Sequence, residues 1–495
     1  MRRALFAAAL ITFFTAGPAL CADAPLSDIT AECIDCHDSF QPGVVADWKL
    51  SRHAHITPGE ALKVEGLARK VSSDSVPEEL QGVAVGCAEC HMLRPDAHAD
   101  TFDHNGYDIH VVVSPDDCKT CHSVEAGQYE KNLMSHARAN LAENAVYHQL
   151  QESILGVPSY ENGRVSTAPS DADTRAEGCY YCHGTQLAVT GTEIRDTMAA
   201  GELEFPVIEG WPNQGVGRIN LDGSRGACTA CHTRHRFSIE MARKPYTCKE
   251  CHIGPDVPVY KVYSASKHGN LFSTHEKEWN FTDVPWTVGE DFTAPTCAAC
   301  HISLLVDSWE VQIAPRSHQM NDRLPWRLFG LIYAHPYPKD PDTTIIRNRD
   351  GQPLPTDFAG GFADAFLIDE EEQDRRTFAF QQTCKACHDT SWVSGFWRRF
   401  ENTVQQTNAT TLAATRIMQR VWEKGLADPS NPFDEAVERL WSDQWLFYAN
   451  TVRFASAMAG GGDYGVFADG RYQLSSNVFA LQDWLQLRDA LPAEK

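Results

Sequence analysis

The sequence is short of positive charge: 43 Lys and Arg stand against 66 Asp and Glu, a formal net charge of −23 over 495 residues. That deficit argues against nucleic acid as a partner, because phosphate-backbone binding depends on clustered basic side chains. Beyond the first 21 residues no run approaches the roughly 20 uninterrupted apolar residues that a membrane-spanning helix needs. Strand-like alternation is scarce, Val111-Val112-Val113 being the best short candidate. From residue 401 to Lys495 there is neither Cys nor His. Of 17 cysteines, only Cys21 stands outside one repeated word.

That word is Cys-x-x-Cys-His, and it occurs eight times: Cys33, Cys36, His37; Cys87, Cys90, His91; Cys118, Cys121, His122; Cys179, Cys182, His183; Cys228, Cys231, His232; Cys248, Cys251, His252; Cys297, Cys300, His301; and Cys384, Cys387, His388. Zinc sites and disulfide scaffolds also use Cys-x-x-Cys, but neither requires His directly after the second Cys. Covalent c-type haem does: the thiols form thioethers to the porphyrin and the adjacent imidazole ligates the iron. Eight covalently bound haems c follow.

Met1-Arg2-Arg3, an apolar stretch over 4–20 and small residues around Cys21 predict a cleaved secretory signal over 1–21, and so an exported, periplasmic protein. Acylation of Cys21 is disfavoured by Leu20 before it, and Gly17-Pro18 breaks the stretch as a retained anchor. The acidic surface favours a basic redox partner, such as a soluble cytochrome, drawn in by long-range attraction.

The haem words span 33–388, separated by Pro/Gly-rich polar connections such as 162–170 and 338–355. The expected fold is mostly α: an octahaem domain over 22–400, with short helices and loops around stacked haems, plus a haem-free C-terminal three-helix bundle over 401–495. In the bundle, Leu412, Ile417, Met418, Val421 and Trp422 mark one helix ending near Gly425. Asn431 and Pro432 cap and start a second, carrying Phe433, Val437, Leu440, Trp441, Trp445, Tyr448 and Val452 until Gly460-Gly461-Gly462 stops it. Val478, Leu481, Trp484, Leu485 and Leu491 mark the third.

A haem that only carries electrons is best held by two imidazoles, whereas a reacting haem keeps one axial position open. Twelve His lie outside the words, enough for eight second ligands, so supply alone does not force an open site. Local context ranks His53, His136, His235 and His268 first. His110, His318 and His148 complete the expected set of seven second ligands.

The string from Gly217-Arg218-Ile219-Asn220 through Cys228-Thr-Ala-Cys231-His232-Thr-Arg-His235 and Cys248-Lys-Glu-Cys251-His252-Ile-Gly-Pro-Asp256 to Ser266-Lys267-His268-Gly269 closely resembles the octahaem hydroxylamine oxidoreductase family. The resemblance covers nearly the whole mature chain. It implies a homotrimer whose fourth haem, on Cys179-Tyr-Tyr-Cys182-His183, is catalytic, with seven bis-His haems around it. Asp256 and Tyr333 become pocket candidates. It also implies a tyrosine cross-linked to the fourth haem from a neighbouring subunit in the members that oxidise hydroxylamine, here Tyr464 or Tyr472. The expected function is therefore multi-electron oxidation of hydroxylamine or a related small nitrogen compound. The alternatives are the reverse reaction, nitrite or hydroxylamine to ammonia, and a non-catalytic electron carrier. Two departures stand out: Val257 follows Asp256 where family copies commonly read His, which argues against efficient oxidation, and 465–470 departs from the aromatic-His pattern, which weakens the match at the tyrosine.

Overall fold

The computed structural model describes residues 24–198, 201–458 and 462–491. The expected signal with Cys21, and Gly460 and Gly461, lie outside the described residues. Three of the haem words form single helical turns: Cys87–His91, Cys179–His183 and Cys297–His301 are five-residue helices. One turn is what the word favours, since residues three apart share a helix face and both thiols then point to the same porphyrin. The first word lies inside the longer Asp28–Phe40 helix, where the Ser27 hydroxyl caps the N-terminus by accepting from the Thr30 amide.

The haem-free tail is helical and continuous with what precedes it. A 34-residue helix, Thr390–Glu423, starts two residues after His388, and the expected division at 400/401 falls inside it. Asp389 caps this helix, its carboxylate accepting from the Ser391 and Trp392 amides. The second helix starts later than expected, at Ala436 rather than Pro432. The cause is Glu438, whose carboxylate reaches back to the Asp434 and Glu435 amides and shuts the turn there. This helix, Ala436–Asp443, passes through a π turn at Gln444–Tyr448 into Ala449–Ala457, and Arg471–Ala490 is the last long helix. Met418, Val421, Phe433, Val437, Trp441, Trp445, Leu481 and Leu485 share one core, as the periodicity predicts. Leu150, Leu331, Ile332, Tyr333 and Leu354, from the haem-bearing stretch, belong to that same core.

The strands lie elsewhere than the sequence suggests. Val111 and Val112 form no strand; their amides donate to the Asp100 carboxylate, each at 2.8 Å. Hairpins occur at Phe102–His104/Tyr107–Ile109, Val157–Glu161/Arg164–Ala168 and Ala188–Thr197/Gly201–Glu209. Asn105-Gly106 and Asn162-Gly163 close the first two, all four residues with positive φ, the arrangement that matches strand twist. The 162–170 segment, expected to be a plain connection, is thus half a hairpin. Both its strands are exposed throughout, so no apolar alternation betrays them. Among the described residues no helix is long and apolar enough to cross a membrane.

Candidate haem array and reaction centre

In a bis-imidazole haem, two metal–nitrogen bonds of about 2 Å, plus about 1.1 Å from each nitrogen to its ring centre, put the ring centroids about 6.3 Å apart. Besides His91 with His110, four pairs of imidazoles match that spacing and join a word His to a distant His. They are His37 with His104 at 6.2 Å, His122 with His53 at 6.4 Å, His232 with His318 at 6.4 Å, and His388 with His268 at 6.2 Å. His235 is an electrostatic neighbour of His91. Burial drives His53, His235 and His318 down to about 4, so these rings are neutral and carry the lone pair a metal needs. On the word side, His37 and His91 each turn one ring nitrogen to an oxygen, Gln41 Oε1 at 3.0 Å and the His110 carbonyl at 2.8 Å, leaving the other nitrogen for iron. The residues fit the haems that the words imply.

Two expected ligands are corrected. His110 is buried, but its ring nitrogens lie 3.1 Å and 2.9 Å from the Val112 and Leu93 carbonyls, so neither faces open space. Its 6.1 Å centroid distance to His91 arises because His91 Nδ1 bonds the His110 backbone. His148 sits on the exposed side of the Ala145–Leu155 helix. Two histidines outside the expected set are placed to serve instead: His104, in the short hairpin, and His335. The latter is buried with Nδ1 2.7 Å from the Pro336 carbonyl and Nε2 without a partner. Burial pushes it down to about 3. His136 is likewise buried, with Nδ1 3.0 Å from Ser135 Oγ.

His110 instead stacks at 3.7 Å on His98, whose ring lies between Asp117, 3.1 Å away, and Asp100, 3.7 Å away. Burial alone would lower His98, but the two carboxylates hold it up at about 9. A His raised above its unfolded value of about 6.5 contributes stability fully below that pH and loses it as pH rises through about 9. Unfolding free energy is therefore expected to fall by about 3 kcal/mol between pH 6 and 10. Denaturant titrations across that range check this, and His98→Gln should flatten the slope.

Cysteine neighbours order the words. The thiols of Cys33 and Cys87, Cys118 and Cys228, Cys182 and Cys251, and Cys248 and Cys297 lie within hydrogen-bonding reach of each other. Cys90 neighbours Cys121, Cys231 neighbours Cys248, and Cys300 neighbours Cys384. The words therefore run 1–2–3–5–6–7–8, with the fourth branching from the sixth.

The fourth word is the one that branches from the wire. His183 Nδ1 lies 3.2 Å from the Ala137 carbonyl. That approach is close: a Cβ on Gly217 would sit 2.6 Å from the Arg138 nitrogen and 2.7 Å from the His183 carbonyl, which demands glycine. Among the described residues no ring contact pairs His183 with a second imidazole, and the same holds for His252 and His301. The charged neighbours of His183 are Asp256 and Arg327, with His252 of the sixth word close by. Asn450 Nδ2 donates to the Asp256 carbonyl at 2.9 Å, and Arg327 Nε donates to the Phe329 carbonyl at 3.0 Å, opposite His335 in a two-residue strand pair. Tyr333 is placed in the helical core, its hydroxyl donating to the Phe358 carbonyl at 2.9 Å. Tyr464 lies half-buried on the Gly462–Phe467 helix, and Tyr472 is exposed.

The model of a multihaem cytochrome family with repeated CxxCH words matches residues 221–307. A probable nitrite reductase-hydroxylamine oxidoreductase fusion protein of Kuenenia stuttgartiensis is 30% identical over 290 residues, 57% of this chain but only 26% of that relative. The chain thus spans about a quarter of that relative's length. A solved structure titled a hypothetical multihaem protein is 38% identical, with 94% of this chain and 96% of that one covered at a TM-score of 0.87. A reducing HAO-like protein complex from Kuenenia stuttgartiensis shares the fold at 18% identity and a TM-score of 0.60, over 93% and 85% of the two chains. Paired imidazoles at iron-spanning distance and near-complete overlap with a multihaem relative lead to one assignment: the chain belongs to the multihaem cytochromes c, with the fold of their hydroxylamine oxidoreductase-like members.

Proposed function

We propose that the chain, loaded with eight haems c, reduces a small nitrogen compound, nitrite or hydroxylamine, at the fourth haem with electrons fed through the other seven. One observation carries this reading: His183, on the branch of the wire, has no facing imidazole among the described residues and has a charged pair, Asp256 and Arg327, beside it. The haem iron supplies a site for the substrate nitrogen and a path for electrons. The chain's own residues do the rest. Ala137 orients His183 through its carbonyl. Arg327 attracts and holds an anionic substrate, and Asp256 passes protons to the departing oxygens. Nitrite takes six electrons and eight protons to give ammonium and two waters, so a wire that stores several electrons suits the demand.

Arg327 favours an anion, and the apolar Val257 stands where the family resemblance places an imidazole after Asp256, which disfavours oxidation. The names of the two Kuenenia relatives, one a nitrite reductase fusion and one reducing, support the same direction. Electron paramagnetic resonance of the oxidised protein should show one high-spin haem that changes on adding nitrite. A wholly low-spin spectrum would leave only an electron carrier. The oxidative rival rests on the tyrosine cross-link, and a peptide containing Tyr464 or Tyr472 recovered with haem attached would decide for it.

The homotrimer belongs to the same proposal. Tyr472, Phe479 and Leu487 stand exposed along the last long helix, a surface monomers seldom leave bare. Phe479→Glu with Leu487→Glu is expected to convert the assembly to monomer in light scattering while haem content is kept.

A further inference from the structure

The two ends of the haem order carry its most exposed attachment cysteines. Among the sixteen word cysteines only Cys36 and Cys387, in the first and eighth words, are exposed. The surroundings of these ends differ. At the eighth, Lys385, Arg375, Arg398 and Arg399 mingle with the acids of Glu370–Lys385. At the first, Glu32, Asp35, Asp38, Asp103, Asp108 and Glu202 are all exposed. The cations nearby are already engaged, Lys49 with Asp38 at 3.5 Å and Arg195 with Glu193.

This acidic rim is held in place. Tyr107 donates its hydroxyl to Glu32 at 2.7 Å, fastening the Phe102–His104/Tyr107–Ile109 hairpin to the first helix. Phe205 packs on Phe102 at 5.3 Å and on His104 at 6.4 Å, which roots the Ala188–Thr197/Gly201–Glu209 ribbon beside the first word. Asp103 and Asp108 face each other directly across the hairpin. Like charges so placed are destabilising, a cost that a docked cation relieves. Within the rim Phe40 and Val44 expose apolar surface next to the word. An apolar centre inside a charged rim is the anatomy of a transient protein interface.

We propose that the first-word end is the docking surface for a small basic electron-transfer protein, whose lysine-ringed cofactor edge meets Phe40 and Val44 while its cations face the acidic rim. This rests on the reading of the chain as a loaded haem wire, and not on the direction of chemistry at the fourth haem. One electron passes from the partner's reduced cofactor to the first haem, and no bond is made or broken.

The test uses the full haem-loaded protein and, as probe, a small lysine-rich c-type cytochrome, with stopped-flow measurement of the second-order electron-transfer rate. The rate is expected to fall at least about tenfold between low and high ionic strength. The triple variant D103K/D108K/E202K should slow it by a similar factor at low salt, with haem content and reduction by dithionite unchanged. The neutral set D103N/D108N/E202Q should give an intermediate rate, and E370K/E371K at the eighth-word end should change nothing. A salt-independent rate, or a loss produced by E370K/E371K and not by the rim variants, overturns the proposal. Nitrite turnover driven by a small-molecule donor is read separately, so failure of docking and failure of the reductive reading are told apart.

Discussion

Arg327→Ala is expected to lower kcat/KM for nitrite by about 10- to 150-fold while lowering that for hydroxylamine far less. The range follows from about 1.5–3 kcal/mol for a hydrogen bond to a charged group, at 1.4 kcal/mol per tenfold. Nitrite is an anion and hydroxylamine is neutral, so only the first loses a charge-assisted contact when the guanidinium goes. Arg327 is held by its Nε bond to the Phe329 carbonyl, in a strand pair with His335 and Pro336. The side chain is thus presented in one orientation, and Arg327→Lys should recover only part of the loss because a lysine lacks the planar fork. Steady-state kinetics with both substrates at constant ionic strength make the comparison. Equal losses for the two would mean that Arg327 supports the fold around the fourth haem and does not bind the anion.

The eight words were legible because each is local: five consecutive residues specify thioethers and one axial ligand without knowledge of the fold. The second ligands were less legible, since each comes from a remote part of the chain. His53, His268 and His318 stand at iron-spanning distance from a word His and His235 neighbours His91, whereas His104, in a polar, Asp-flanked hairpin, is not in the expected set. Its signal was present in Asn105-Gly106, a two-residue turn that pairs the flanking strands. His110 is buried. Burial did not reveal that the Leu93 and Val112 carbonyls occupy both nitrogens. The same limit applies to Arg327. No motif marks it, and only the folded chain brings it beside His183.

The helical tail was readable from its 3.6-residue periodicity, yet its relation to the haem region was not. Ala449–Ala457 holds the backbone on both sides of the candidate reaction centre. Asn450 donates to the Asp256 carbonyl, and the buried Arg453 donates to the Leu328 carbonyl, next to Arg327, at 3.2 Å. Periodicity identifies which face of a helix is apolar but says nothing of which carbonyls its polar residues will clasp.

Trp441→Ala is therefore expected to act on both stability and the fourth haem. Trp441 is 1% exposed. Its ring packs at 5.4 Å on Trp422, 5.8 Å on Trp445 and 5.9 Å on Phe358. Its indole N–H donates to Thr415 Oγ1 at 3.0 Å. Truncation removes the ring contacts, opens a cavity between rigid helices and strips the hydrogen bond, at a cost of about 3–5 kcal/mol. Leu331, Ile332 and Tyr333 share that core, so loosening it also frees the segment that carries Arg327. Denaturant unfolding should show the lost stability. The high-spin signal of the fourth haem should broaden, while the low-spin signals of the first and second haems, far along the wire, stay sharp. Trp441→Phe, which keeps most of the ring but not the N–H, should restore most of the stability and a single sharp high-spin signal. If Trp441→Ala lowers stability but leaves that signal untouched, the tail packs against the haem region without governing its reaction centre.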